Sequence, residues 1–206
     1  MKQRSIMQHD FSRVPQANIA RSVFKRISGF KTTFDEGYLI PCLVEEVLPG
    51  DTFNFNATFF ARLATPLKPI MDNMRLESFF FFVPNRLVWT DWAHFMGEKD
   101  NPDDTTSYSV PQIVAPEVTG FEVGSLCDYF GLPTGIPGIS VNALPSRAYN
   151  LIYNEFFRDQ NLIDSVAVDK DAGADNPADY VVLRGAKAHD YFTSCLPWPQ
   201  KGEGVS

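Results

Sequence analysis

Four consecutive phenylalanines, Phe79, Phe80, Phe81 and Phe82, followed by Val83, constrain this chain more than any other feature. A half-exposed strand alternates apolar and polar residues. A run that is apolar at every position therefore predicts a strand buried on both faces. Polar MDNMRLES before it and PNR after it bound the run. Upstream, Pro66 and Pro69 have no backbone N–H, which places their segment in a loop or on a sheet edge. Downstream, Leu87, Val88, Trp89 and Trp92 add bulky apolar area for a neighbouring layer. So much apolar mass needs a large partner surface.

The preceding residues supply more strand signals. YLIPCLVEEV, residues 38–47, is rich in strand formers, with Pro41 marking an edge or a bulge. Leu48-Pro49-Gly50-Asp51 is turn chemistry. In TFNFNATFFAR, residues 52–62, Phe53, Phe55, Ala57 and Phe59 share one face while Asn54, Asn56 and Thr58 share the other. Strand, turn, strand, loop and the phenylalanine strand together predict the opening of an antiparallel sandwich.

Helical spacing is rarer. Pro145 starts the best helix, with Ala148, Tyr149, Ile152, Tyr153 and Phe156 on an apolar face and Arg147, Asn150, Asn154, Arg158 and Asp159 mostly on the other. Shorter helices are predicted within 121–130 and within 19–27, where Ile19, Val23 and Ile27 align. Residues 98–109 and 164–179 are acidic loops, the second holding Asp164, Asp169, Asp171, Asp175 and Asp179. Residues 180–183 form a short candidate strand.

TPLKPIMDNMRLESFFFFVPNRLVWTDW strongly resembles the major capsid protein of microviruses, in the gokushovirus branch. The likeness continues in RSVFKRISGFKTTFDEGYLIPCLVEEVLPGDTF, SRAYNLIYNEFFRDQN and HDYFTSCLPWPQKG, in the family's order. The resemblance implies a viral jelly-roll coat protein that self-assembles into an icosahedral shell around a single-stranded DNA phage genome. It also implies scaffolding and DNA pilot proteins as partners, assembly in the bacterial host cytoplasm and residence in the virion. Family members are much longer than 206 residues. The expected fold is therefore mainly β: an incomplete jelly-roll, an antiparallel β-sandwich, with long loops and at least one inserted α-helix. Too few strands are present to cover the phenylalanine run, so the chain is expected to be the N-terminal part of a longer coat protein.

Charge divides the chain. Residues 1–31 hold seven Lys/Arg against Asp10, a net +6, so the remainder carries −13 of the total −7. A basic N-terminal arm (1–36) on an acidic body (37–206) is expected, with Arg13, Arg21, Lys25, Arg26 and Lys31 the candidates for DNA or subunit contact. Trp89, Trp92, Tyr149, Tyr153 and Trp198 are candidate subunit-interface or core anchors. They could also stack unpaired bases, but the net acidity beyond residue 31 favours interfaces.

Candidate catalytic and metal chemistry is weaker. Cys42, Cys127 and Cys195 are odd in number and widely spaced, which argues against a disulfide framework. The Asp-rich loop lacks calcium-loop spacing, and no second Cys or His lies close to His189 or Cys195 to make a zinc pair. No catalytic site, metal or cofactor is expected, and no apolar run has bilayer length. The rival readings are a jelly-roll binding module for carbohydrate or another ligand, and a small hydrolase using His189, Asp190 and Cys195.

Overall fold

The computed structural model describes residues 20–105, 107–188, 190–192, 194 and 195. It separates into two units, Met1–Lys31 and Thr32–Ser206. In the first, residues 20–27 are not helical, against expectation. A helix this short is marginal unless its apolar face is packed, and Val23, Phe24 and Ile27 are 96%, 82% and 84% exposed.

Among the described residues, all regular elements lie in the second unit. In chain order they are a 3₁₀ turn at Asn85–Leu87, α1 (Trp92–Phe95), β1 (Gln112–Val114), α2 (Leu126–Tyr129), β2 (Ser140–Asn142) and α3 (Leu144–Ile152). A π-helical turn, Tyr153–Phe157, extends α3, and a second 3₁₀ turn covers Pro177–Asp179. β1 and β2 are antiparallel, with Gln112 opposite Asn142, Ile113 opposite Val141 and Val114 opposite Ser140.

Local chemistry explains the boundaries. Ser125 accepts a hydrogen bond from the Asp128 amide at 3.3 Å and caps α2, while the Asp128 carboxylate accepts from the Gly124 amide at 2.8 Å. Asn142 accepts from the Leu144 amide at 2.9 Å at the start of α3, where Pro145 has no N–H to satisfy. Gly120 is required as glycine. Its φ is +68°, and a Cβ there would stand 2.5 Å from the Ile136 nitrogen.

Two apolar clusters meet at α3. One gathers Ile113, Ala115, Phe121, Leu126, Cys127, Ala143 and Tyr180, with Tyr149 packed against it. The other holds Val88, Trp89 and Leu144, with Trp92 and Ala148 alongside. The expected strand at 180–183 does not form; next to it an isolated antiparallel bridge joins Tyr38 and Arg184, in which Leu39 donates to the Leu183 carbonyl at 2.9 Å and Gly185 to the Gly37 carbonyl at 3.0 Å. The Arg184 guanidinium lies 4.4 Å from the centre of the Tyr38 ring.

The other expected strands take a different form. Among the described residues, no backbone–backbone hydrogen bond joins any residue of 52–83 to another. Phe79, Phe80, Phe81 and Phe82 are not buried on both faces but 42–72% exposed. A strand exists only through its ladder partners, and the described residues provide none for this stretch.

Candidate functional site

Helix α3 is held by the side that the sequence pattern assigns to its polar face. Arg147, Asn150 and Asn154, spaced three and four apart, point along one side of a helix. Arg147 and Asn150 are completely buried, whereas Phe156, from the expected apolar face, is 57% exposed. The apolar side is covered too, by the packing of Ala148, Tyr149 and Tyr153; the polar side is buried because the acidic loop folds over it and meets it with backbone groups.

Each polar side chain holds part of that loop. Asn154 donates to the Val166 carbonyl at 2.8 Å and accepts from the Val166 amide at 2.9 Å. Asn150 donates to the carbonyls of Ala167 and Asp179 at 2.8 and 3.1 Å. From outside α3, the Thr90 amide and hydroxyl both donate to the Lys170 carbonyl.

Arg147 makes the densest set of contacts. Its Nε donates to Asp175 Oδ2 at 2.7 Å and its Nη2 to Asp175 Oδ1, a bidentate pair. Nη1 donates to the carbonyls of Val88 at 3.0 Å and Asp171 at 2.9 Å. The Tyr180 hydroxyl also donates to Asp175 Oδ2. Burial works against the Arg147 charge, but the hydrogen bonds and charge of Asp175 outweigh it and hold its pKa above the ordinary value. Burial raises the Tyr180 pKa, and its hydrogen bond to the Asp175 carboxylate raises it further. The Asp175 amide donates to the Gln112 carbonyl at 2.9 Å, tying the ion pair to β1. Asp175 of the second acidic loop is thus 4% exposed, not a solvated carboxylate.

Tyr149 makes a second fastening. Its hydroxyl donates to the Leu39 carbonyl and accepts from the Leu183 amide, both at 2.9 Å. Burial pushes its pKa up to about 12. Burial likewise raises the Cys127 thiol to about 11, which makes it an inert core group.

Beyond these fastenings lies an aromatic surface. Phe79 and Phe81 pack edge-on against Phe156 and Phe157, with ring centres 5.2–5.7 Å apart. Phe80 instead meets Phe55 at 4.8 Å. Alternate phenylalanines thus face opposite sides, as in a strand. Beside them, Glu45, Glu46, Phe81, Phe82, Arg86 and Trp92 line a cavity of about 330 Å³.

Of the predicted anchors, Trp89 and Tyr153 are buried, and Trp92 and Tyr149 are half-buried. Arg21, Lys25, Arg26 and Lys31 are exposed in the first unit. Arg13, Trp198 and His189 lie outside the described residues. Arg147, Asn150 and Asp175 were not among the sequence candidates, although the three- and four-residue spacing of Arg147, Asn150 and Asn154 was visible. Among the described residues, no cluster of His, Cys, Asp or Glu is suited to a metal ion. No helix there is long and apolar enough to cross a membrane.

The described residues are thus fastened by buried polar groups and leave an aromatic area open. Residues 12–206 match the capsid protein (F protein) family of phages, and the chain belongs to that family of viral coat proteins. It is 54% identical over 198 residues to capsid protein VP1 of Bdellovibrio phage phiMH2K, with 96% of this chain and 37% of that protein covered. Capsid protein VP1 of Chlamydia phage 1 is 46% identical over 98% of this chain, and that of Spiroplasma virus 4 is 38% identical over 94%; 37% of each relative is covered. The chain thus spans 37% of the length of these curated relatives.

Proposed function

We propose that the chain is part of a major capsid subunit that self-assembles into an icosahedral shell around a single-stranded DNA phage genome. The observation that carries this reading is membership of the capsid family together with a continuous aromatic stretch left open. Phe79, Phe80, Phe81 and Phe82 are at least 42% exposed, and residues 52–83 lack ladder partners among the described residues. Exposed apolar area on this scale marks a surface that another polypeptide covers. In this reading, strands from the rest of the coat protein pair with 52–62 and 76–83 and complete a jelly-roll. Its role is structural and not enzymatic.

Scaffolding and DNA pilot proteins are the expected partners, with assembly in the host cytoplasm and residence in the virion. Arg13, Arg21, Lys25, Arg26 and Lys31 of the arm would contact DNA or a neighbouring subunit, and the half-buried Trp92 would contribute to interfaces. The binding-module alternative receives no support from the capsid relatives.

The test is to extend the chain with the sequence matching the rest of a relative's length and to image the product by electron microscopy. Closed shells are the expected result. A stable, soluble monomer with all four phenylalanines still reactive to surface labelling would sink the proposal.

A further inference from the structure

We infer that residues 38–41 form a strap that the Tyr149 hydroxyl holds ajar, poised to close as a strand on residues 181–184. The bridge between Tyr38 and Arg184 is antiparallel. Its two bonds run from the Gly185 amide to the Gly37 carbonyl and from the Leu39 amide to the Leu183 carbonyl, which makes Leu39 and Leu183 the next pair of the ladder. In a regular antiparallel ladder such a pair exchanges two hydrogen bonds. Here only one is direct. The Leu183 amide donates instead to the Tyr149 hydroxyl at 2.9 Å, and that hydroxyl donates to the Leu39 carbonyl at 2.9 Å. A side chain of α3 thus stands in place of the second bond and stops the ladder after one step.

Both sides are otherwise built to pair. In the closed ladder Ile40 faces Val182, a β-branched pair suited to a pleated surface. Val182 already packs on the core cluster, and Ile40 is half-buried. One step further, neither the Val181 amide nor the Pro41 carbonyl has a hydrogen-bond partner among the described residues, and the closed register brings the two together. Pro41 has no N–H, so the pairing ends there. What holds the ladder open is the need of a part-buried hydroxyl for partners. Tyr149 takes both of its partners from the ladder. One side chain of α3 therefore sets how far the strap is paired, and the inference does not depend on the shell reading.

The test begins with Tyr149→Phe, which removes the hydroxyl and keeps the ring that packs edge-on against Phe130. Amide exchange and NOEs are read by NMR. With the hydroxyl gone, the Leu183 amide is expected to bond the Leu39 carbonyl directly and to keep its protection within about threefold, while Val181 gains about tenfold. An Hα–Hα NOE between Ile40 and Val182 is expected to appear, since the Cα atoms of such a facing pair stand about 4.5 Å apart. Loss of protection at Leu183, with no gain at Val181 and no NOE, makes the hydroxyl a plain fastener and overturns the inference. So does an NOE of equal strength in the parent protein. A second variant covers a Tyr149→Phe chain that fails to fold. In a Cys42→Ser, Cys195→Ser background, which removes the exposed thiols, Ile40→Cys with Val182→Cys is oxidised in the folded protein with Tyr149 retained. A disulfide within one chain is expected, because the closed strap brings the two positions into bonding reach. Its absence overturns the inference. Where Tyr149→Phe does fold, adding it should speed the link about tenfold, and an unchanged rate overturns the inference too.

Discussion

Arg147 and Asp175 are 28 residues apart in sequence and form a bidentate ion pair with both side chains at most 1% exposed. Two charges removed from water are tolerated only when their remaining donors and acceptors are also satisfied. Here the Val88 and Asp171 carbonyls and the Tyr180 hydroxyl do so. The pair joins α3, the acidic loop and β1, so its loss is felt by three segments. Asp175→Asn is expected to destabilise the chain by about 3–5 kcal/mol in urea unfolding. Arg147→Met combined with Asp175→Leu is expected to recover most of that loss. A cost below about 1 kcal/mol for the single change would show that the pair does not organise the unit.

Asn154 exchanges two hydrogen bonds with Val166, closing the near end of the same loop. Asn154→Ala removes both and is expected to cost about 1–3 kcal/mol. The Val166 amide should then lose most of its protection from hydrogen exchange. Asn154→Asp keeps the acceptor for that amide, so its protection should be partly retained.

Alkaline pH should lower the stability of this chain over two overlapping ranges. Cys127 rises from 9.0 to about 11 and Tyr149 from 10.0 to about 12, both through burial. A group with a raised folded pKa is protonated in the folded state and ionised in the unfolded state between the two values. Its stabilisation is therefore complete below the unfolded pKa and is lost as pH rises through the folded one. Stability should fall from about pH 9 to about pH 12, and Cys127→Ala should flatten the lower part of that fall. A melting temperature constant up to pH 11 would contradict both assignments.

Gly120→Ala adds a Cβ 2.5 Å from the Ile136 nitrogen at a φ of +68°. Both the contact and the left-handed conformation oppose it, so a loss of about 1–3 kcal/mol is expected by thermal unfolding. Gly124→Ala shares the positive φ but meets nothing within 4 Å and should cost less.

The aromatic surface gives a prediction that depends on assembly. Phe82 is 72% exposed, so Phe82→Ser should change the stability of this chain by no more than about 0.5 kcal/mol. In the complete coat protein the same change should cost about 3–5 kcal/mol, as for a core phenylalanine, and reduce shell yield. Equal small effects in both settings would leave the phenylalanine run without the proposed cover.

By itself the sequence determined the family, through four blocks kept in order, and the position of the main helix, through Pro145 and the spacing of Tyr149, Ile152 and Tyr153. These are local patterns, and local patterns survive in any sequence window long enough to hold them. It also marked residues 79–82 as needing cover, because four adjacent phenylalanines suit no solvated strand. Only the tertiary structure decided that the polar side of α3 is buried as well as the apolar one. Hydropathy ranks Arg147 and Asn150 as surface residues, yet a loop from beyond residue 164 brings a carbonyl and a carboxylate to the Arg147 guanidinium and carbonyls to the Asn150 amide nitrogen. A polar group is expensive to bury only while unpaired, and its partner lies too far along the chain for periodicity to reveal. The same reason separates the sequence signal of the phenylalanine strand from its observed state. Apolar character is written in the residues, whereas burial belongs to whatever packs on them.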